Sequence, residues 1–169
     1  AGMEPGAEDE LLAVALADLT KAGTLDANTL ARDLGIDMNR AESLLRTLAA
    51  MNRWVHGQGR QDRELRDMAT TFSALILRGR AAHVVHVGDT RIYRLRAGRL
   101  QCLTQDHTHS HPDMRHVLYR AVGLEETVRA DYGTYDLKAH DHYLLCCDGV
   151  HATLDAARVL DTIITKAVE

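Results

Sequence analysis

Two aspartates stand where apolar runs stop. Asp89 follows Gly88 in "HVGDTRIY", residues 86–93, and Asp148 precedes Gly149 in "LLCCDGV", residues 144–150. A carboxylate at the end of an extended run projects beyond the sheet, where hard divalent cations take oxygen ligands. A glycine beside it lets the chain turn sharply or lets a ligand approach the backbone. Each aspartate taken singly is equally served by a plainer role, in a hairpin turn or as a helix cap. Two such positions in one sheet favour a shared carboxylate site, although spacing alone leaves their convergence open.

Other reactive side chains cluster less informatively. "DHTHSHPDMRH", residues 106–116, carries His107, His109, His111 and His116. Imidazoles suit zinc. Alternate histidines in a polar loop before Pro112 lack the helical i, i+4 spacing of a zinc pair, so a solvated loop is expected. An adventitious metal site and a functional ligand set are the alternatives. Ser73, in "MATTFSALILRGR", has no partner base identifiable in the sequence, so a nucleophilic serine is unsupported.

The elements that must position these groups follow from periodicity. Between about 70 and 147 the apolar period is mostly two, giving strands at 70–77, 82–88, 91–96, 99–103, 130–136 and 142–147. His83, Val85 and Val87 fall on one face of the second strand, Val84 and His86 on the other. Arg78-Gly79-Arg80 and Arg96-Ala97-Gly98 read as turns. Residues 8–56 instead follow a helical period. Leu11, Leu12, Ala15, Leu16 and Leu19 predict a helix up to Gly23, and a short helix spans 27–34 before Gly35. A long helix capped by Asp37 or Asn39 carries Leu44, Leu45, Leu48 and Met51 up to Gly57. Residues 113–122 and the tail are also expected to be helical. One domain over 1–169 results, with a helical part at 1–57, a β-rich core at 68–150 and a helix at 152–168.

Composition bounds the function. With 169 residues the chain can bury one core, and with only 4% aromatics that core must be built from Leu, Val, Ala and Ile. A net charge of −4 gives no reason to expect a nucleic-acid surface. Residues 28–51 have a helix-turn-helix look, but over 24–52 Arg32, Arg40 and Arg46 are outnumbered by Asp26, Asp33, Asp37 and Glu42. Packing helices are expected there, with DNA reading as the alternative. No run approaches the roughly 18 apolar residues of a membrane span, and "AGMEPGAEDE" lacks the features of a signal peptide. Three cysteines, two of them adjacent, make no disulfide framework, so a reducing, cytoplasmic setting is expected.

Taken in order, the segments resemble the metal-dependent serine/threonine protein phosphatases of the 2C type, and bacterial members most closely. "RDMATTFSALILRGRAAHVVHVGDTRIYRLRAGRLQCLTQDH" is similar to that family's central strands: a Met-small-Thr-Thr start, a Val-Gly-Asp-Thr-Arg hairpin and a Leu-Thr-x-Asp-His segment. "RHVLYRAVG" resembles the stretch leading to the family's Arg-Ala-hydrophobic-Gly. "DHYLLCCDGV" resembles its Asp-Gly strand, and "AAMNRWVHGQGR" the end of its second long helix.

The resemblance implies an α+β fold of two packed antiparallel β-sheets flanked by helices, incomplete at both ends. It implies Asp148 as a catalytic carboxylate holding the core Mg²⁺ or Mn²⁺ site, and Asp89 as ligand of a further, more weakly held ion. Gly88 and Gly149 supply backbone at that site. The stretch 104–122, with His107, His109 and His111, corresponds to a flap beside it that can touch substrate. The implied reaction is hydrolysis of phosphoserine and phosphothreonine on proteins by a metal-activated water. Implied partners are a phosphoprotein substrate and a fused or cognate serine/threonine kinase, with no nucleic acid and no membrane. The chain also departs from the family pattern. The first strand with its Arg and Glu-Asp pair, the following Asp-Gly strand and the late Asp-Asn are not found, and Ala152 stands where some relatives have Asp. The alternative is therefore a catalytically incomplete module acting in partner binding, its exposed sheet edges open to self-association.

Overall fold

The computed structural model describes residues 12–15, 25–114, 117–154 and 158–159. Helix α1 (Ala27–Leu34) starts on Asp26, whose carboxylate accepts the Thr29 N–H at 2.9 Å, and stops at Gly35 in the left-handed conformation, φ 58°. Helix α2 (Met38–Gln61) is capped by Asp37, which accepts the Arg40 N–H at 3.0 Å. It runs through Gly57, where the sequence suggested a stop, because nothing at Gly57 requires a left-handed residue.

The strands form two antiparallel sheets. The first has the order β1-β2-β3-β6: β1 (Leu12–Ala15), β2 (Phe72–Arg78), β3 (Ala81–Val87) and β6 (Asp131–Asp136). The second has the order β5-β4-β7: β4 (Arg91–Arg96), β5 (Arg99–Cys102) and β7 (His142–Cys146). β4 and β5 are joined by Ala97 and Gly98, both at positive φ (48° and 72°), the two-residue geometry that matches strand twist.

Alternation places each strand's side chains in two layers. Ala74, Val85, Val87 and Tyr132 meet Leu30, Leu34 and Ala41, so α1 and α2 cover the outer face of the first sheet. Residues 28–51 thus pack on the sheet. On the opposite face, Leu75, Ala82 and Val84 meet Ile92 and Leu103 between the sheets. Tyr93, Leu95 and Cys146 point to the far side of the second sheet, where Val159 covers them.

The end of α2 is tied to the body by a buried amide. Asn52 is 1% exposed. Its Oδ1 accepts the Gly123 N–H at 2.7 Å, and its Nδ2 donates to the carbonyls of Glu125 and Glu126 at 3.0 and 3.1 Å. Gly123 has φ 92°, and a Cβ there would collide with Val55.

Two further expectations fail. Leu12–Ala15 is a strand paired with Ser73–Ile76, not part of a helix. Its helical spacing of leucines is overridden by a tertiary partner, the open edge of β2; Leu11, Leu16 and Leu19 lie outside the described residues. The described residues of 113–122 do not form the expected helix either. A 3-10 turn at Pro112–Met114 gives way to a returning limb: Tyr119 N–H donates to the His107 carbonyl at 2.8 Å, and Thr70 and Val122 exchange backbone bonds at 2.9 and 2.8 Å. The limb's backbone groups find non-local partners, which periodicity does not register. Most of the expected tail helix at 152–168 lies outside the described residues; what is seen is α3 (Asp148–His151) and helical backbone at 158–159.

Candidate metal centre

Asp89 and Asp148 are brought together by strand register. β4 pairs antiparallel with β7, and Arg91 faces Cys146. Asp89 lies two residues before Arg91 and Asp148 two residues after Cys146, so both carboxylates leave the same end of that strand pair, and the charge of Asp148 is felt at Asp89. Asp148 is exposed in the first turn of α3, and its Oδ1 accepts the Gly149 N–H at 2.8 Å. Asp89 is half-buried just past the end of β3. Burial pushes its carboxyl above the usual range, and the charges of Asp148 and Asp106 push it the same way, so the three carboxylates share one field.

Neighbours fix this arrangement. Gly88, at φ 119°, turns the chain out of β3. Its N–H donates to His107 Nδ1 at 3.0 Å and its carbonyl accepts the His107 N–H at 2.7 Å. Arg91 holds Asp106 by two bonds, at 3.0 and 2.7 Å. His151 donates from Nε2 to the Asp89 carbonyl at 2.8 Å, and burial, then Arg91, lowers its pKa so that the ring stays neutral near pH 7. Thr71 and Thr90, beside Asp89, join hydroxyls at 3.0 Å.

The other expected site residues fall differently. Gly149 makes no sharp turn: it sits within α3, and a Cβ would meet only Cys147 Sγ at 3.6 Å, an ordinary contact. His107 is not solvated. It is 2% exposed, and because Nδ1 accepts from Gly88, Nε2 carries the proton and donates to Asp131 at 3.1 Å. Burial pushes the Asp131 carboxyl up, but His107 and Arg120 outweigh it and hold the carboxyl below its ordinary range. His109 and His111 are exposed, His109 edge-on to Tyr119. His116 lies outside the described residues.

One pairing was invisible in the sequence. Ser73 Oγ lies 3.1 Å from His86 Nδ1. His86 Nε2 donates to the Gln105 carbonyl at 3.2 Å, so Nδ1 is the acceptor for the serine hydroxyl. Both residues are fully buried, so the pair braces β2 against β3 and meets no substrate. Its only sequence signal was that both residues sit on strands that pair.

Asp89 and Asp148 present hard oxygen donors of the kind Mg²⁺ and Mn²⁺ take. Among the described residues, no three His, Cys, Asp or Glu side chains gather to hold an ion. The chemistry of the donors fits a divalent cation, of whose shell two carboxylates would be only a part.

Residues 10–168 match the family described as "Protein phosphatase 2C". The serine/threonine protein phosphatase PstP of Mycobacterium tuberculosis is 31% identical over 130 residues, covering 68% of this chain and 25% of that protein. The chain thus spans about a quarter of the length of that curated relative. Among solved structures, PppA, a key regulatory component of T6SS in Pseudomonas aeruginosa, superposes with a TM-score of 0.66 at 25% identity, over 89% of this chain and 81% of that one. The catalytic domain of PstP in complex with two manganese ions superposes with a TM-score of 0.56 at 30% identity, over 65% and 51%.

Proposed function

The chain belongs to the protein phosphatase 2C family, and on that premise we propose that it forms the central part of a metal-dependent protein serine/threonine phosphatase domain. The observation that carries this reading is that the β4–β7 pairing brings Asp89 and Asp148 to one end of the second sheet, within each other's electrostatic reach. The substrate is a phosphoserine or phosphothreonine protein. Mg²⁺ or Mn²⁺ is the cofactor, a choice supported by the manganese-bound relative.

Asp148, exposed, and Asp89, half-buried, would each give an oxygen to a bound divalent ion. Such an ion supplies an activated water and neutralises phosphate charge. The chain's own residues do the rest. His107 fixes Gly88 at both its N–H and its carbonyl, which sets where Asp89 leaves β3. Arg91 neutralises Asp106 and so limits the repulsion that the third carboxylate imposes on Asp89. His151 braces the Asp89 carbonyl without adding a charge.

The names of the relatives favour the enzyme over a non-catalytic binding module. A cytoplasmic location and a cognate kinase belong to the same proposal. No described helix is long and apolar enough to cross a membrane. β7 ends the second sheet among the described residues, so further strands of the domain or a second copy would pair there.

The test is hydrolysis of a phosphothreonine peptide with millimolar Mn²⁺, by these 169 residues and by the reading frame that extends them on both sides. The extended chain turns over and its Asp148→Asn variant does not, while the 169 residues bind Mn²⁺ weakly and hydrolyse little. Full activity in the extended Asp148→Asn variant would remove Asp148 from the site.

A further inference from the structure

The chain leaving α2 reads "GRQDRELRDM", residues 59–68, with arginine at every third position: Arg60, Arg63 and Arg66. The Asp62 N–H still reaches back four residues to Gln58, but the next bonds reach back three. Leu65 bonds Asp62 at 3.2 Å, Arg66 bonds Arg63 at 3.4 Å, and Met68 bonds Leu65 at 3.0 Å. Turns of three residues eclipse positions i and i+3. Arg60, in the last turn of α2, and Arg63 and Arg66, in these turns, all line one open pocket of about 700 Å³, together with His56, Met68 and Gly123. Gly59 lets the turns fold back onto the helix, since a Cβ there would come within 3.0 Å of the Leu65 carbonyl.

Several arginines of this fold are neutralised, as Arg91 is by Asp106, Arg96 by Asp141 and Arg120 by Asp131, and those unpaired among the described residues but outside this stretch, such as Arg80 and Arg99, do not line this pocket. None of the guanidiniums of Arg60, Arg63 and Arg66 has a partner among the described residues. Asp62 and Asp67 also line the pocket, and Asp62 already accepts the Glu64 N–H at 2.8 Å. Three cations against two carboxylates leave the pocket positive in a chain of net charge −4. The pocket's lining residue Met68 precedes β2 at the end of the first sheet where Phe72 pairs with Val87, two residues before Asp89. Met68 leads to Thr70, which is bonded to Val122, and then to Thr71, whose hydroxyl meets Thr90 next to Asp89.

We propose that this pocket holds a second phosphate, carried by the same protein segment as the phosphorylated residue presented at Asp89 and Asp148. The proposal rests on the phosphatase reading and deepens it: the preferred substrate is a multiply phosphorylated segment. Guanidinium forks match the oxygens of a phosphate dianion, and the volume suits one head group with its stem. A long polyanion such as RNA suits it less, because Asp62 and Asp67 would repel phosphates extending past the arginines.

Fluorescence anisotropy without added metal tests this on the 169-residue chain, with one labelled peptide carrying a single phosphothreonine and another carrying two, several residues apart. The doubly phosphorylated peptide binds roughly tenfold tighter or better. R60Q/R63Q/R66Q abolishes that preference. R80Q/R99Q/K138Q removes as many positive charges from the opposite end of the strands and keeps it. Equal binding of the two peptides by the unaltered chain, or equal loss in both variants, overturns the proposal. So does an oligonucleotide of matched charge that binds tighter through the same three arginines. The measurement needs no turnover, so a failure of hydrolysis strikes the phosphatase reading and a failure of preference strikes this one.

Discussion

Replacing Asn52 by alanine tests whether the amide that ties α2 to residues 123–126 is a principal joint of the fold. Truncation removes three hydrogen bonds. The Gly123 N–H is buried, so losing its acceptor leaves an unsatisfied donor, costing about 1–3 kcal/mol. Glu125 and Glu126 are exposed, so water can re-satisfy their carbonyls, and each lost bond costs about 1 kcal/mol. The sum, about 3–5 kcal/mol, is a large fraction of the roughly 5–15 kcal/mol that holds a domain folded. Urea unfolding followed by far-ultraviolet circular dichroism reads it. The single tryptophan, Trp54, is 64% exposed and makes a poor reporter. The expected result is a lower midpoint with an unchanged slope. A loss below about 1 kcal/mol would mean that water replaces the amide and that the joint lies elsewhere.

Three further outcomes follow from the geometry. Gly123→Ala destabilises the chain because alanine strains at φ 92° and its Cβ meets Val55; Val55→Ala in the same chain recovers part of the loss, measured by thermal melting. Arg96 pushes the Asp141 carboxyl down to about 2 from an ordinary 3.8, so its contribution is fully present above the ordinary value and is lost as pH falls toward 2. Asp141→Asn therefore lowers the urea midpoint at neutral pH, and the gap to the unaltered chain closes between pH 3.8 and 2; a gap constant with pH would refute the linkage. His107, His109 and His111 retain no stoichiometric zinc through purification without a histidine tag, and metal analysis that finds zinc lost on mutating all three would show the opposite.

Much of the architecture was readable because it is locally encoded. Asp26 and Asp37 are caps with a side-chain acceptor, Gly35 is a left-handed stop, and the strands from β2 to β7 fall in a stretch whose apolar period is mostly two. Asp89 and Asp148 were readable as strand-end carboxylates, but their meeting depends on the β4–β7 register, which no local pattern states. The failures share one cause. Leu12–Ala15 takes its conformation from the open edge of β2, residues 117–122 from Thr70 and the chain at 107–109, and His107 its burial from Gly88 and Asp131. Ser73 and His86 were ordinary strand residues until β2 and β3 paired. Each needed a partner distant in sequence, and sequence patterns report only neighbours.

The order of strands also bears on how the molecule comes into being. β4 and β5 can zip as soon as both exist, since two residues join them. β7 reaches β4 only after the chain has crossed to the other sheet, built β6 there and come back. Closing that larger loop costs more entropy and comes later in folding. On a ribosome, Asp89 emerges and waits through β5 and β6 before Asp148 exists. An ion that needs both carboxylates therefore finds nothing to hold on the growing chain, and it favours only molecules whose second sheet is already sealed. If Asp89 and Asp148 hold an ion as proposed, its binding would follow the docking of β7.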